Sequence, residues 1–241
     1  MATMRQIRTR IKVAGNIAQI TRAMKMVAAA RLKRAQDRVL AARPFVDRMS
    51  VVVADLAAAT EDIAHPLMQV RPIRTSGVVV MTADRGLCGS YNSGVIRRAG
   101  ELFETIEAEE LRLMVLGRKG NAFFRRRGYH VENLPEVQSG TANYADAVAL
   151  ADYLREQFTS GEVDEVHVVY TQFVSAISQM PTVERILPIE PPPASGRGET
   201  RFILEPDGTT LVSTLLPRFL TTRLYYAMLE SAASEHGARM T

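Results

Sequence analysis

The stretch MTADRGLCGSYN, Met81 to Asn92, comes closest to a chemical site in this chain. Gly86, Gly89 and Gly94 follow an apolar, β-branched run and precede a helical pattern, the order found where a backbone cradles phosphate at a helix N-terminus. Their spacing is not G-x-G-x-x-G, and no G-K-[ST] follows. The stretch is therefore read as a tight turn in which glycine supplies positive φ and close helix approach. Cys88 has no second cysteine to pair with and is expected to be a small buried filler. His65, His130, His167 and His236 lie singly, without metal-ligand spacing. The carboxylate pairs Glu109-Glu110 and Asp164-Glu165 read as solvated turn residues, and local spacing suggests no Ser-His-Asp or Cys-His pairing. These residues point away from an enzyme acting alone, and from a resident cofactor or metal.

The stronger signal is charge. Net charge is +4 over 241 residues, but residues 1–50 contain twelve Lys/Arg against two Asp/Glu, and the remainder carries an acidic excess. A segment this basic needs an acidic surface to meet: nucleic acid, an anionic membrane or acidic protein loops. No aromatic residue interrupts Met1 to Pro44, so the stacking platforms of a single-strand nucleic-acid binder are missing. No apolar run approaches the ~18 to 20 residues of a spanning helix, and MATMRQIRTR lacks the apolar centre of a secretory signal. Direct membrane insertion is therefore not expected, and the chain is expected on the cytosolic side.

The elements that carry this charge follow from periodicity. Between Arg5 and Leu56 the chain has one proline, Pro44, and one glycine, Gly15, which permits a helix of about 50 residues. Apolar residues recur every 3.5 positions, among them Ile7, Ile11, Ala28, Leu32, Val39, Val46 and Val53, with a slip at Thr21 and Lys25, as in a coiled-coil seam. Residues 61–76 read as a linker. Three β-branched runs, 77–86, 111–120 and 163–173, alternate with helical patterns at 92–110, 121–128 and 142–161, the signature of a parallel α/β sheet. After a proline- and glycine-rich loop, RFILEPD suggests a short strand and Asp207-Gly208 a turn. From Thr209 a second helical pattern runs to the end, with Pro217 expected in its first turn or at a kink. The predicted organisation is an N-terminal coiled-coil helix (1–60), a Rossmann-like parallel α/β insert (77–195) and a C-terminal coiled-coil helix (209–241) packed antiparallel on the first. Equal rise along both helices brings Thr241 opposite about residue 25, which leaves the apolar stripe of residues 7–24 without a partner.

Four stretches, IRTRIKVAGNIAQITRAMKMVAAARLKRAQDRV, TADRGLCGSYN, QMPTVERILP and LLPRFLTTRLYYAMLESAASEHGARM, in this order, resemble the gamma subunit of the F-type ATP synthase, the central stalk. The resemblance implies a non-catalytic rotor that couples proton or sodium flow to ATP synthesis and hydrolysis. It implies as partners the alpha and beta subunits of a catalytic hexamer, the epsilon subunit and the membrane c-ring, at the cytoplasmic face of a bacterial inner membrane. Arg8, Met24 and Lys25 are expected to face the acidic loop of the beta subunits. Arg31, Lys33, Arg34 and Arg38, with Glu205 in ILEPD, are expected to meet the c-ring. Family members continue past SEHGARM, so the C-terminal helix is expected to be truncated at Thr241. A basic helical adaptor for nucleic acid and a nucleotide-binding Rossmann enzyme stand as the alternatives.

Overall fold

A computed structural model describes residues 3–59, 65–132, 134, 140–191, 205 and 207–241. Its first element, α1 (Met4–Ala59), is one uninterrupted helix, about 84 Å long at 1.5 Å per residue. Pro44 lies exposed inside it. A single 3-10 turn at Pro66–Met68 then leads to β1 (Thr75–Met81), α2 (Tyr91–Thr105), β2 (Glu110–Leu116), α3 (Arg118–Arg126) and β3 (Val131–Glu132). The chain continues through α4 (Tyr144–Thr159), β4 (Glu165–Phe173) and β5 (Gln179–Leu187) to α5 (Gly208–Met240).

The five strands form one sheet in the order β3-β2-β1-β4-β5. The first four run parallel, as the alternation of runs and helices requires. β5 adds to the edge antiparallel to β4, with Val169 opposite Val183 and Thr171 opposite Pro181. The sheet is thus mixed, a refinement of the parallel insert that the sequence suggests. Pro181 donates no ladder hydrogen bond, and an edge strand is where a sheet tolerates that loss.

Val78, Val79 and Val80 have no exposed surface, because helices cover both faces of the sheet. Val78, Val80, Leu113 and Val169 pack with Val95, Ala99 and Phe124 from α2 and α3. Val79, Met81, Val166 and Val168 point the other way, into a larger core shared with α4, α5 and the C-terminal half of α1. α5 is the centre of that core, and from Ala227 to Gly237 every residue on it is buried. It is therefore more than a second narrow seam: it is enclosed by α1, α4 and the sheet.

α1 and α5 are antiparallel. Val53 and Leu56 line one small cavity with Val212 and Leu216, Arg43 Nε donates to the Tyr226 hydroxyl at 3.2 Å, and Ala28 and Arg31 share a cleft with His236 and Arg239. The expected seam is realised from Ala28 onward, where Leu32, Val39, Val46, Val53 and Leu56 are buried. Of the three consecutive alanines only Ala28, 2% exposed, faces α5 fully; Ala30 is exposed.

Two boundaries differ from expectation. Asp207 does not make a free turn but caps α5, its Oδ1 accepting from the Thr210 N–H at 2.8 Å. Pro217 lies well inside α5, past the first turn, and the helix is continuous through it. The strand expected at RFILEPD falls on residues 201–204 and 206, outside the described residues, as do residues 60–64 of the linker.

Candidate functional site

In an open α/β sheet, a ligand is taken in the crevice beyond the carboxyl ends of the strands, where the strand order reverses. Here that point lies between β1 and β4. α5 fills it. Tyr91, at the start of α2, is buried there, its hydroxyl 2.6 Å from Ser231 Oγ of α5 and 3.5 Å from the Met81 carbonyl oxygen it donates to. Ser234 Oγ donates to the Thr171 carbonyl at the end of β4, 3.1 Å away. The glycine turn closes over the same helix end: Gly89, at φ +54°, would place a Cβ 3.6 Å from the Ala238 carbonyl oxygen. Leu87, rather than Gly86, takes the second positive φ, +59°. Cys88 is buried, and its sulfur accepts from Asn92 Nδ2 at 3.1 Å. Burial pushes this thiol above its usual range. Among the described residues no three His, Cys, Asp or Glu side chains gather around a space for a metal ion.

The carboxylates read as solvated include two that are not. Asp164 and Glu165 are buried at the start of β4, while Glu109 and Glu110 are exposed. Asp164 Oδ2 accepts from the backbone N–H groups of Arg74 and Thr75, at 2.8 and 2.9 Å, and its Oδ1 pairs with Arg71 Nε at 2.6 Å. Arg71 also donates to the carbonyls of Phe158 and Val163. Burial alone would raise the Asp164 carboxyl, but the two N–H donors and the guanidinium hold it below the usual carboxylate range. Glu165 accepts from Ser76 Oγ at 2.9 Å and lies 3.1 Å from His167 Nε2. The order is serine, carboxylate, histidine: the carboxylate, not the imidazole, touches the hydroxyl, so no nucleophile is activated. Asp164 ties the segment before β1 to the start of β4, and Glu165 ties β1 itself to β4 through Ser76. A glutamate following an aspartate that opens a strand carries no sign of this in sequence, because the partners Arg71 and Ser76 lie some ninety positions away.

The remaining candidate surface is α1 beyond the end of α5. Ile11 is 67% and Ile20 60% exposed, and Ile7 and Ile17 are exposed with them, so the stripe left unpaired by the helix lengths is bare over roughly 20 Å from Ile7 to Ile20. Arg8 and Lys25 are exposed on this overhang. Met24, half-buried, sits at its root, in a cleft of about 710 Å³ walled by Ala28 and Arg31 of α1, Arg85 and Leu87 of the glycine turn, and Glu235 and Arg239 of α5. Glu235 and Arg239 pair at 2.6 Å one turn apart. Arg31 and Arg34 are exposed, Lys33 pairs with Asp37 at 2.8 Å, and Arg38 Nη1 donates to the Thr141 carbonyl at 3.0 Å. Glu205 is an exposed bend residue. Met24 and Arg31 are thus brought together, Arg8 and Lys25 stand apart along the overhang, and Lys33, Arg34 and Arg38 continue below the cleft. The sequence reading missed the other wall, Arg85, Glu235 and Arg239. Their signal was present in the two stretches TADRGLCGSYN and SEHGARM, which the fold brings together.

A basic helix projects from an α/β foot, and its own partner helix fills the switch-point crevice of the sheet, an arrangement suited to a mechanical subunit. Comparison with known proteins gives the same class. A family model described as ATP synthase matches residues 3–241. The ATP synthase gamma chain of Pelotomaculum thermopropionicum is 41% identical over 242 residues, covering 100% of this chain and 85% of the relative. That of Anaeromyxobacter sp. is 44% identical over 248 residues, with the same coverage of 100% and 85%. Among solved structures, the central stalk and c-ring of the Tetrahymena thermophila mitochondrial ATP synthase contains a chain matched with a TM-score of 0.64 at 25% identity, over 92% of this chain and 96% of that one. A rotor chain of the Euglena gracilis mitochondrial ATP synthase, 18% identical, shares the fold at a TM-score of 0.63, over 97% and 86% of the two chains. The chain belongs to the ATP synthase gamma-chain family, whose members are stalk subunits without a catalytic site of their own.

Proposed function

We propose that this chain is the shaft of a rotary ATP synthase, turning within a hexamer of alpha and beta subunits, with its foot against an epsilon subunit and the polar loops of a membrane c-ring. In this reading it couples proton or sodium flow to ATP synthesis and hydrolysis. It is a peripheral subunit, placed at the cytoplasmic face of a bacterial inner membrane by its partners; among its described residues no helix is long and apolar enough to cross a membrane. One observation carries the reading: α1 and α5 pair antiparallel, and α1 extends past the pair with Arg8, Met24 and Lys25 at or above its root. Acidic loops of a surrounding ring would find complementary charge there, while the apolar stripe gives a low-friction core. Arg31, Lys33, Arg34, Arg38 and Glu205 supply the lower contacts. Each exposed ion pair among them contributes about 1 kcal/mol or less, so many must share the load.

Full-length membership of the gamma-chain family replaces the nucleic-acid reading. The test is reconstitution. Tagged chain should co-purify with an alpha–beta hexamer, and its addition to a stalk-free hexamer should change the ATPase rate. A hexamer whose ATPase ignores the added chain overturns the proposal.

A further inference from the structure

Glu230 lies on α5 at the level where the helical pair meets the sheet, and it is 1% exposed. Neither of its carboxylate oxygens has a hydrogen-bond partner. An ionised carboxylate left this way would forfeit its hydration with nothing in return. The groups around it do not supply what is missing. From α1, Arg43 faces it, but the Arg43 Nε–H is already given to Tyr226, and Asp47 offsets part of its charge. From its own helix comes the Tyr226 hydroxyl, and from β4 the Tyr170 hydroxyl, 3.4 Å from Glu184 Oε2; both favour the charged form without completing a bond to either oxygen. From β5 comes a second carboxylate, Glu184, whose Oε1 is held by Arg223 of α5. Arg223 is thereby committed elsewhere, and the nearest full negative charge repels a second one.

We propose that the joint between the helical pair and the sheet holds Glu230 as a neutral acid, and that the joint loosens when this proton leaves. Burial, aided by Glu184, raises the carboxyl to about 7, against the opposing pull of Tyr226, Arg43 and Tyr170. The sign follows. The folded chain binds this proton more tightly than the unfolded one, so the stabilisation is complete below the ordinary glutamate range and is lost as pH rises towards and through 7. His236 works in the same window in the opposite sense, its burial beside Arg239 and Arg31 lowering it to about 4, so the melting temperature of the native protein alone would blur the two. The comparison with Glu230→Gln separates them.

The test uses the 241-residue chain labelled with carbon-13 at the glutamate carboxyls. One resonance should titrate with a midpoint of about 7, vanish in Glu230→Gln, and move to lower pH in Glu184→Gln, which removes the facing charge and frees Arg223. Hydrogen exchange across residues 222–234, corrected for its intrinsic pH dependence, should quicken several-fold between pH 6 and pH 8 in the native chain and stay level in Glu230→Gln. Should Glu230→Gln fail to fold, the native and Glu184→Gln titrations still decide the point. The proposal is overturned if every glutamate carboxyl titrates below about 5.5, or if exchange in the native chain and in Glu230→Gln changes alike.

Discussion

Asp164 answers three donors at once, and its value to the fold is set by what its loss would strand. Asp164→Asn leaves Arg71 partly buried without its counter-charge: one amide oxygen can still accept from the Arg74 and Thr75 N–H groups, but the amide NH2 then faces the guanidinium donor. We expect a loss of about 3 kcal/mol in urea unfolding, the scale for breaking a partly buried pair from one side. Because the Asp164 carboxyl is held low in the folded chain, its contribution is present above the ordinary aspartate range and disappears as pH falls through the folded value. His236 adds to the acid side. Its neutral form is favoured by burial, so stability falls between its ordinary value of 6.5 and the folded value of about 4. The difference in melting temperature between the native chain and His236→Gln, in which the opposing Glu230 contribution cancels, should shift against the native chain as pH falls from 6.5 to 4. Neither residue was legible in sequence. A lone histidine and an Asp-Glu pair look alike whether solvated or enclosed, and only the meeting of distant segments distinguishes them.

Elements were more legible than residues wherever a period could be read. The long basic helix, the antiparallel partner and the parallel strands all follow from spacing alone, and so does the bare stripe on α1, because it needs only two helix lengths and one rise per residue. What escaped was short or irregular. β3 is two residues long, and β5 carries Pro181 in its interior, so neither announces a strand. Gly117 shows the reverse case, an element boundary that tolerates one residue type. At φ +89° it starts α3, and a Cβ there would lie 2.0 Å from the Thr82 carbonyl oxygen. Gly117→Ala should therefore cost about 3 kcal/mol or prevent folding, measured by chemical denaturation, since backbone must move to admit the methyl. On the helical pair the sensitive position is Ala28. Ala28→Leu should cost about 1 to 3 kcal/mol by forcing α1 and α5 apart, while Ala30→Leu, on the exposed side, should leave the melting temperature unchanged.

For the molecule as a whole, folding and action draw on different halves of α1. From Ala28 onward one face of α1 is built into the core; before it, Met24 still lines the cleft, and the residues up to Ile20 are exposed. Ile17→Asp and Ile20→Asp should then leave the unfolding curve of the isolated chain within about 0.5 kcal/mol of the native one, while lowering recovery of the reconstituted hexamer complex and its coupled ATPase. Loss of folding in these variants, or full activity, would show that the overhang is not where the ring closes. The blocked crevice has a consequence for how such a machine can be informed. An α/β foot with an open socket could register the nucleotide supply directly; here Tyr91, Ser231 and Ser234 make the socket a permanent weld between axle and base. With the socket filled, a nucleotide finds no seat between β1 and β4, and base and axle turn as one piece there.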